Sequence, residues 1–173
     1  VGVYRLENKA VDGTGEFMSK NIEGIGYNKN VKDSINAAFN YFKINLKKLI
    51  NINADDYNYS MYFNDMQSKG VCDEVSVAEV VALFSAVTKH PVLPSLVVVG
   101  RVVMSGSMMP VTTSITDIIT AAINAGAKKI LLPEDSKDKF DASIRNDLKQ
   151  IITPIYYSTP VDAAKKALGG DEL

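Results

Sequence analysis

The chain has 173 residues, about one domain's worth, a length that can bury roughly 68–70% of the unfolded chain's surface. It is 46% hydrophobic and 23% charged, which excludes disordered, coiled-coil and collagen-like architectures. Nineteen Lys+Arg against 20 Asp+Glu leave a net charge of -1, so no global basic field draws in nucleic acid.

The chain opens at Val1 without an initiator methionine and runs at once into Val1-Gly2-Val3-Tyr4-Arg5-Leu6, which reads as mid-strand. A fragment of a longer protein is therefore expected. The first thirty residues are Gly-rich, with apolar bursts at Val3–Leu6 and Ile22–Tyr27, as in short strands joined by turns at Asp12-Gly13 and Gly24–Gly26. Val31, Ile35, Phe39, Phe42 and Leu46 then mark one helix face, with Asn30 as the expected N-cap and Asp33 in the first turn. Tyr57–Asp65 alternates as a strand does.

A helix from about Asp73 to Lys89 is apolar nearly all round, the pattern of a buried central helix. Pro91 and Pro94 punctuate its exit. Leu96–Val99 and Val102–Met104 read as strand, broken at Gly100 and Arg101, and a turn at Ser105-Gly106-Ser107 leads to Met108–Val111. The next helix is capped by Thr113 or Ser114, carries Ile115, Ile118, Ile119 and Ala122, and stops at Gly126. A buried strand, Lys129–Leu132, ends at Pro133. A helix around Ala142–Leu148 precedes a strand, Ile151–Tyr157, which Pro154 places at a sheet edge. Thr159, Pro160, Asp162 and Gly169 sign the last helix. Strands alternating with helices predict a single α/β domain over residues 1–173 with a partly parallel sheet and a buried central helix at about 73–89.

Chemistry-bearing motifs are sparse. There is no G-x-x-x-x-G-K-[ST], and Gly13-Thr14-Gly15 and Gly24-Ile25-Gly26 read as turns. The longest apolar runs are too short for a helical membrane span, and no leader pattern stands in the opening residues, so no membrane partner is expected. The only cysteine, Cys72, excludes an internal disulfide and fits a reducing, cytoplasmic compartment, while the only histidine, His90, excludes a His-cluster metal site. Neither a metal nor a cofactor is expected in this domain.

Cys72 precedes the central helix, where the helix dipole would favour a thiolate and backbone N–H groups could form an oxyanion hole. Asp73 and Glu74 oppose this with negative charge of similar weight, and local residues favour an inert thiol. His90 is separated from Cys72 by eighteen residues, roughly 27 Å if all were helical, so a Cys–His dyad is disfavoured and a role at the helix exit is preferred. A lysine partner would have to be desolvated; Lys69, Lys128 and Lys129 are the candidates. Tyr57, Tyr59, Tyr62 and Phe63, with Tyr41 and Phe42, read as core or interface packing rather than a nucleic-acid platform.

The order of blocks resembles the proteolytic domain of Lon-type ATP-dependent proteases. Ser68-Lys69-Gly70-Val71-Cys72, the apolar helix through Phe84 and His90-Pro91-Val92 come first. The block from Val99 to Val111, the stretch from Ala121 through Ala127-Lys128-Lys129 to Pro133, and Pro160-Val161-Asp162-Ala163-Ala164 follow. Within the family the match is with the Lon-like domain of BREX phage-defence systems. The resemblance implies an AAA+ ATPase module in a longer protein, where ATP and Mg would bind, and a homo-oligomeric ring. Lon proteases pair a nucleophilic serine in a D-G-P-S-A-G block with a lysine base on a later helix. Matched to that block, Cys72 takes the nucleophile position; counted without a gap from Pro91, Glu74 takes it. The lysine position falls on Asp117, and no lysine lies between Lys89 and Lys128. The family's Glu and Thr in the strand block correspond to Arg101 and Val103.

These departures lead us to expect a degenerate peptidase domain that serves ring assembly, with DNA met through other domains. An active peptidase acting on protein substrates through Cys72 is the alternative. A DNA-contacting module, built on Lys43, Lys47 and Lys48 of one helix face, is a third.

Overall fold

The computed structural model describes residues 1–20, 29–66 and 74–170, the side chains of 19, 20, 29 and 30 excepted. The predicted strand at Ile22–Tyr27 and its turn at Gly24–Gly26 lie outside these residues.

The first half of the chain builds a three-stranded sheet in the order β1-β3-β2, from β1 (Tyr4–Asp12), β2 (Phe17–Lys20) and β3 (Tyr57–Asp65). β3 is central, antiparallel to β1 and parallel to β2. β1 extends well past the apolar burst at Val3–Leu6. Its residues alternate half-buried and exposed, so polar Arg5, Glu7 and Lys9 belong to the strand's solvent face. β3 begins and ends where its alternation predicted, with Tyr59, Met61 and Phe63 inward. Against this sheet packs α1 (Lys29–Ile50), and Asn30 lies inside that helix rather than capping it. The aromatic cluster is core: Phe42 meets Tyr59 and Phe84 edge-on, with centroids 5.6 and 5.1 Å apart. Tyr62, on the outer face of β3, is exposed.

α2 (Ser76–Thr88) is the buried central helix that its composition predicted, with Val77, Val80, Leu83 and Phe84 wholly enclosed. It ends at Lys89 in the left-handed conformation, and the His90 carbonyl accepts the Ser85 hydroxyl while the His90 ring is exposed.

The second half forms a parallel sheet in the order β4-β7-β8, from β4 (Leu96–Val98), β7 (Lys129–Pro133) and β8 (Thr153–Tyr157). A two-stranded hairpin, β5 (Arg101–Val102) with β6 (Met108–Met109), turns at Ser105–Ser107. β8 is an edge strand, where Pro154 does not interrupt a ladder. α3 (Ile115–Asn124) packs on one face, α2 and α6 (Pro160–Ala167) on the other, so both faces are covered, as a parallel sheet requires. The expected helix at 142–148 is instead two pieces, α4 (Lys137–Ser143) and α5 (Asn146–Lys149). Ile144 and Arg145 are extended between them, which buries Ile144 beside Phe140. Thr159 caps α6 by accepting the Asp162 N–H at 3.1 Å. Among the described residues no helix is long and apolar enough to cross a membrane.

The two halves meet around Gly100. A Cβ there would collide with Tyr157 Oη and come within 2.9 Å of Val77 Cγ2. Tyr157 Oη donates to the Val99 carbonyl at 2.6 Å inside the core, and burial pushes the phenol well above its usual range. Tyr157→Phe should therefore cost about 1–3 kcal/mol by orphaning that carbonyl. Gly100→Ala should destabilise as well, and by less in the Tyr157→Phe background, where one of its collisions is gone. Urea midpoints of the two single variants and the double variant measure that coupling.

Candidate active-site groove

Ahead of α2 the chain turns at Glu74 and Val75, both buried. Two backbone bonds hold this turn to the strand link, Gly100 N–H to Glu74 O at 3.2 Å and Val77 N–H to Gly100 O at 3.3 Å. Buried Ser76 adds a third by accepting the Val102 N–H on Oγ at 2.8 Å. The Glu74 carboxylate accepts the Thr112 N–H at 3.1 Å, so the start of α2 is joined to the segment that leads into α3.

A groove of about 390 Å³ opens beside this joint. It runs along the outer edge of β4, between α2 on one face of the sheet and α3 on the other, with Val1–Leu6 as its far wall. Ala78, Ala82, Ala121, Ala122 and Ala125 leave the space, because their side chains stop at Cβ. Ser95 and Val99 bond to β7 (Lys129 N–H to Ser95 O, 3.1 Å; Val99 N–H to Leu131 O, 3.0 Å). By the two-residue period of a strand, the backbone groups of Leu96 and Val98 then point to the groove side. An apolar trough along a strand edge that is unpaired among the described residues suits an extended peptide, whose main chain would add to the sheet.

The sequence-predicted residues distribute unevenly about this groove. Cys72 and Lys69 lie outside the described residues. Glu74, the other reading of the nucleophile position, lines the groove and is buried. Asp117 sits in the first turn of α3 with its side chain exposed, one residue before Ile118, which lines the groove. The N-terminal approaches of α2 and α3 are thus neighbours, through Glu74 and Thr112, and α3 carries no lysine. Lys128 and Lys129 stand at the start of β7, level with Ser95 and Leu96, whereas Glu74 is held at Gly100 beyond the other end of β4. Four to five residues of strand, roughly 13–17 Å, separate the two ends.

Arg101 is half-buried on β5, and the Val103 N–H closes the hairpin by donating to Ser107 O at 3.0 Å. Lys47 and Lys48 are exposed near the end of α1, but Lys43 turns its ammonium onto the Phe39 ring, 5.0 Å from the centroid. Only part of the basic stripe is presented. Sequence reasoning did not single out Glu79, a fully buried carboxylate on α2 whose signal was a lone acid in an otherwise apolar helix. Among the described residues no group of three or more His, Cys, Asp or Glu could hold a metal ion.

Glu74→Ala should destabilise the protein by about 1–3 kcal/mol, because it removes a part-buried hydrogen bond between a buried side chain and the Thr112 N–H. Glu74→Gln keeps an acceptor oxygen and should cost clearly less. Chemical denaturation of the two variants tests the order.

Comparison with known proteins agrees with this architecture. The sequence profile of the Lon protease (S16) C-terminal proteolytic domain matches residues 3–169. The Lon-like protease BrxL of Bacillus cereus (strain H3081.97) is 32% identical over 98% of this chain. The Lon-like protease BrxL of Escherichia coli O9:H4 (strain HS) is 31% identical over 97%. The archaeal Lon protease of Archaeoglobus fulgidus is 31% identical over 48%. The chain spans about a quarter of the length of each BrxL relative, 24% in both cases. With a family profile covering nearly every residue and the fold in agreement, the chain belongs to the Lon protease C-terminal proteolytic domain family.

Proposed function

We propose that this chain is a proteolytically degenerate Lon-type domain that serves ring assembly in a longer, cytoplasmic protein of BREX-type phage defence. An AAA+ module of that protein would bind ATP and Mg, and other domains would meet DNA. The supporting observation is Asp117. By the resemblance the family's lysine position falls on Asp117, which is exposed in the first turn of α3, a helix without a lysine. A carboxylate cannot stabilise a developing thiolate by charge, and the Asp117 side chain is exposed rather than enclosed in the groove. Similarity to two proteins named Lon-like protease BrxL supports the assignment to that branch.

A second reading, an ATP-dependent peptidase with Cys72 as nucleophile, draws on the apolar groove beside β4, which has the form of a peptide site. The two readings part at Cys72. The intact protein with ATP and Mg is expected to leave labelled casein and peptides uncleaved, and Cys72→Ala to leave the ring's mass unchanged. Alkylation of Cys72 by iodoacetamide should titrate at or above the ordinary thiol value of about 8.5. ATP-dependent cleavage that disappears in Cys72→Ala, with a thiol titrating far lower, would establish the peptidase instead.

A further inference from the structure

The seam between β1 and α2 holds a side-chain pair that an ionised glutamate leaves half satisfied. Glu79 lies on α2 with no exposed surface, and Asn8 Nδ2 donates to its Oε2 at 3.0 Å. The other oxygens of the same two groups, Glu79 Oε1 and Asn8 Oδ1, are buried and meet no partner among the described residues. Two buried acceptors without a donor are costly, and a single proton between them would satisfy both.

Among the described residues no charge is seen to compensate an anion there. β1 turns Leu6, Asn8 and Ala10 inward and Arg5, Glu7 and Lys9 outward. α6 offers Ala163, Ala164 and Ala167, with Asp162 and Lys166 paired to each other. α1 offers Ala38, Phe42 and Leu46; its Lys32, Asp33, Lys47 and Lys48 are exposed and Lys43 covers Phe39. β5 brings Val102 and half-buried Arg101, and Glu74 at the head of α2 is bound to Thr112. Among the described residues, burial and the Asn8 bond act on the Glu79 carboxyl.

We propose that Glu79 folds as the neutral acid, its Oε1–H donating to Asn8 Oδ1, so that acid and amide close a two-bond ring tying β1 to α2. In alkaline solution the proton passes to solvent, the ring opens, and β1, whose first residues wall the groove, is released from α2. This device does not depend on whether the domain cleaves peptides. Burial pushes the carboxyl up to about 8, against the opposing effect of the Asn8 bond, so the proton is held at neutral pH. A raised folded-state pKa means that the contribution is complete below the unfolded value of 4.5 and is lost as pH rises towards about 8.

Hydrogen exchange in the intact protein, corrected for its intrinsic pH dependence, reads the opening of β1 and α2. In the wild type the opening constant should rise about tenfold per pH unit through that window. Glu79→Gln places an NH2 where the acid has its O–H, keeping both bonds without a titrating proton. Its protection should match the wild type near pH 5 and exceed it by about two orders of magnitude or more at pH 8. Equal pH slopes in the two proteins would overturn the proposal. So would weaker protection of Glu79→Gln near neutrality, the result expected if an ionised Glu79 held a cation. Infrared spectra of the wild type need no variant: a carboxylic-acid C=O band at pH 7 that vanishes above pH 9 supports the ring, and its absence at pH 7 refutes it.

Discussion

Around Gly100 the chain passes from β4 into β5 while the first turn of α2 packs against it, and four hydrogen bonds hold that crossing. Gly100 N–H and C=O engage Glu74 and Val77, Ser76 Oγ takes the Val102 N–H, and Tyr157 Oη reaches across from β8 to Val99. A side chain at position 100 would occupy the place of the Tyr157 hydroxyl, so the absence of a Cβ lets three elements approach one point. The buried helix, the parallel sheet and the hairpin take their relative positions from this joint.

The groove follows from the same arrangement. Because α2 begins at Gly100 and α3 begins just after Thr112, the bond from Thr112 to Glu74 brings two helix N-termini together at one end of β4. Among the described residues, the short alanine side chains of both helices leave the strand's outer edge uncovered. The positive end of a helix dipole would favour an anionic nucleophile or oxyanion at such a place. In this chain two carboxylates stand at that end among the described residues, Glu74 buried and Asp117 exposed, and α3 carries no lysine. The described charge around this end of the groove is acidic, which is the ground on which the degenerate reading is proposed.

The polar groups of α2 show how an almost wholly apolar helix is oriented. Ser76 and Glu79 are each fully buried, and each meets a different neighbour, Ser76 the β5 backbone and Glu79 the β1 side chain Asn8. Apolar packing alone would tolerate small rotations of such a helix, since every face is hydrophobic. Directional bonds at two points along it remove that freedom, at the expense of enclosing a carboxyl group.

Much of this was legible in the chain itself. Alternation placed β3 to the residue, Pro154 predicted an edge strand, Thr159 with Pro160 and Asp162 marked α6, and composition identified α2 as buried, because period, caps and missing N–H groups are local properties. The family, too, was readable from the order of short blocks. Local patterns misled where the tertiary environment outweighed them. β1 runs on through Arg5, Glu7 and Lys9 because β3 supplies its ladder, and the 142–148 helix breaks at Ile144 because the core takes that side chain. The groove, the Glu74–Thr112 bond and the Asn8–Glu79 pair join residues 38 and 71 apart or lie between elements. No periodicity encodes such meetings. They exist only once sheet and helix faces have been brought into contact, and it is that contact which removes water from Glu79 and gives its proton a reason to stay.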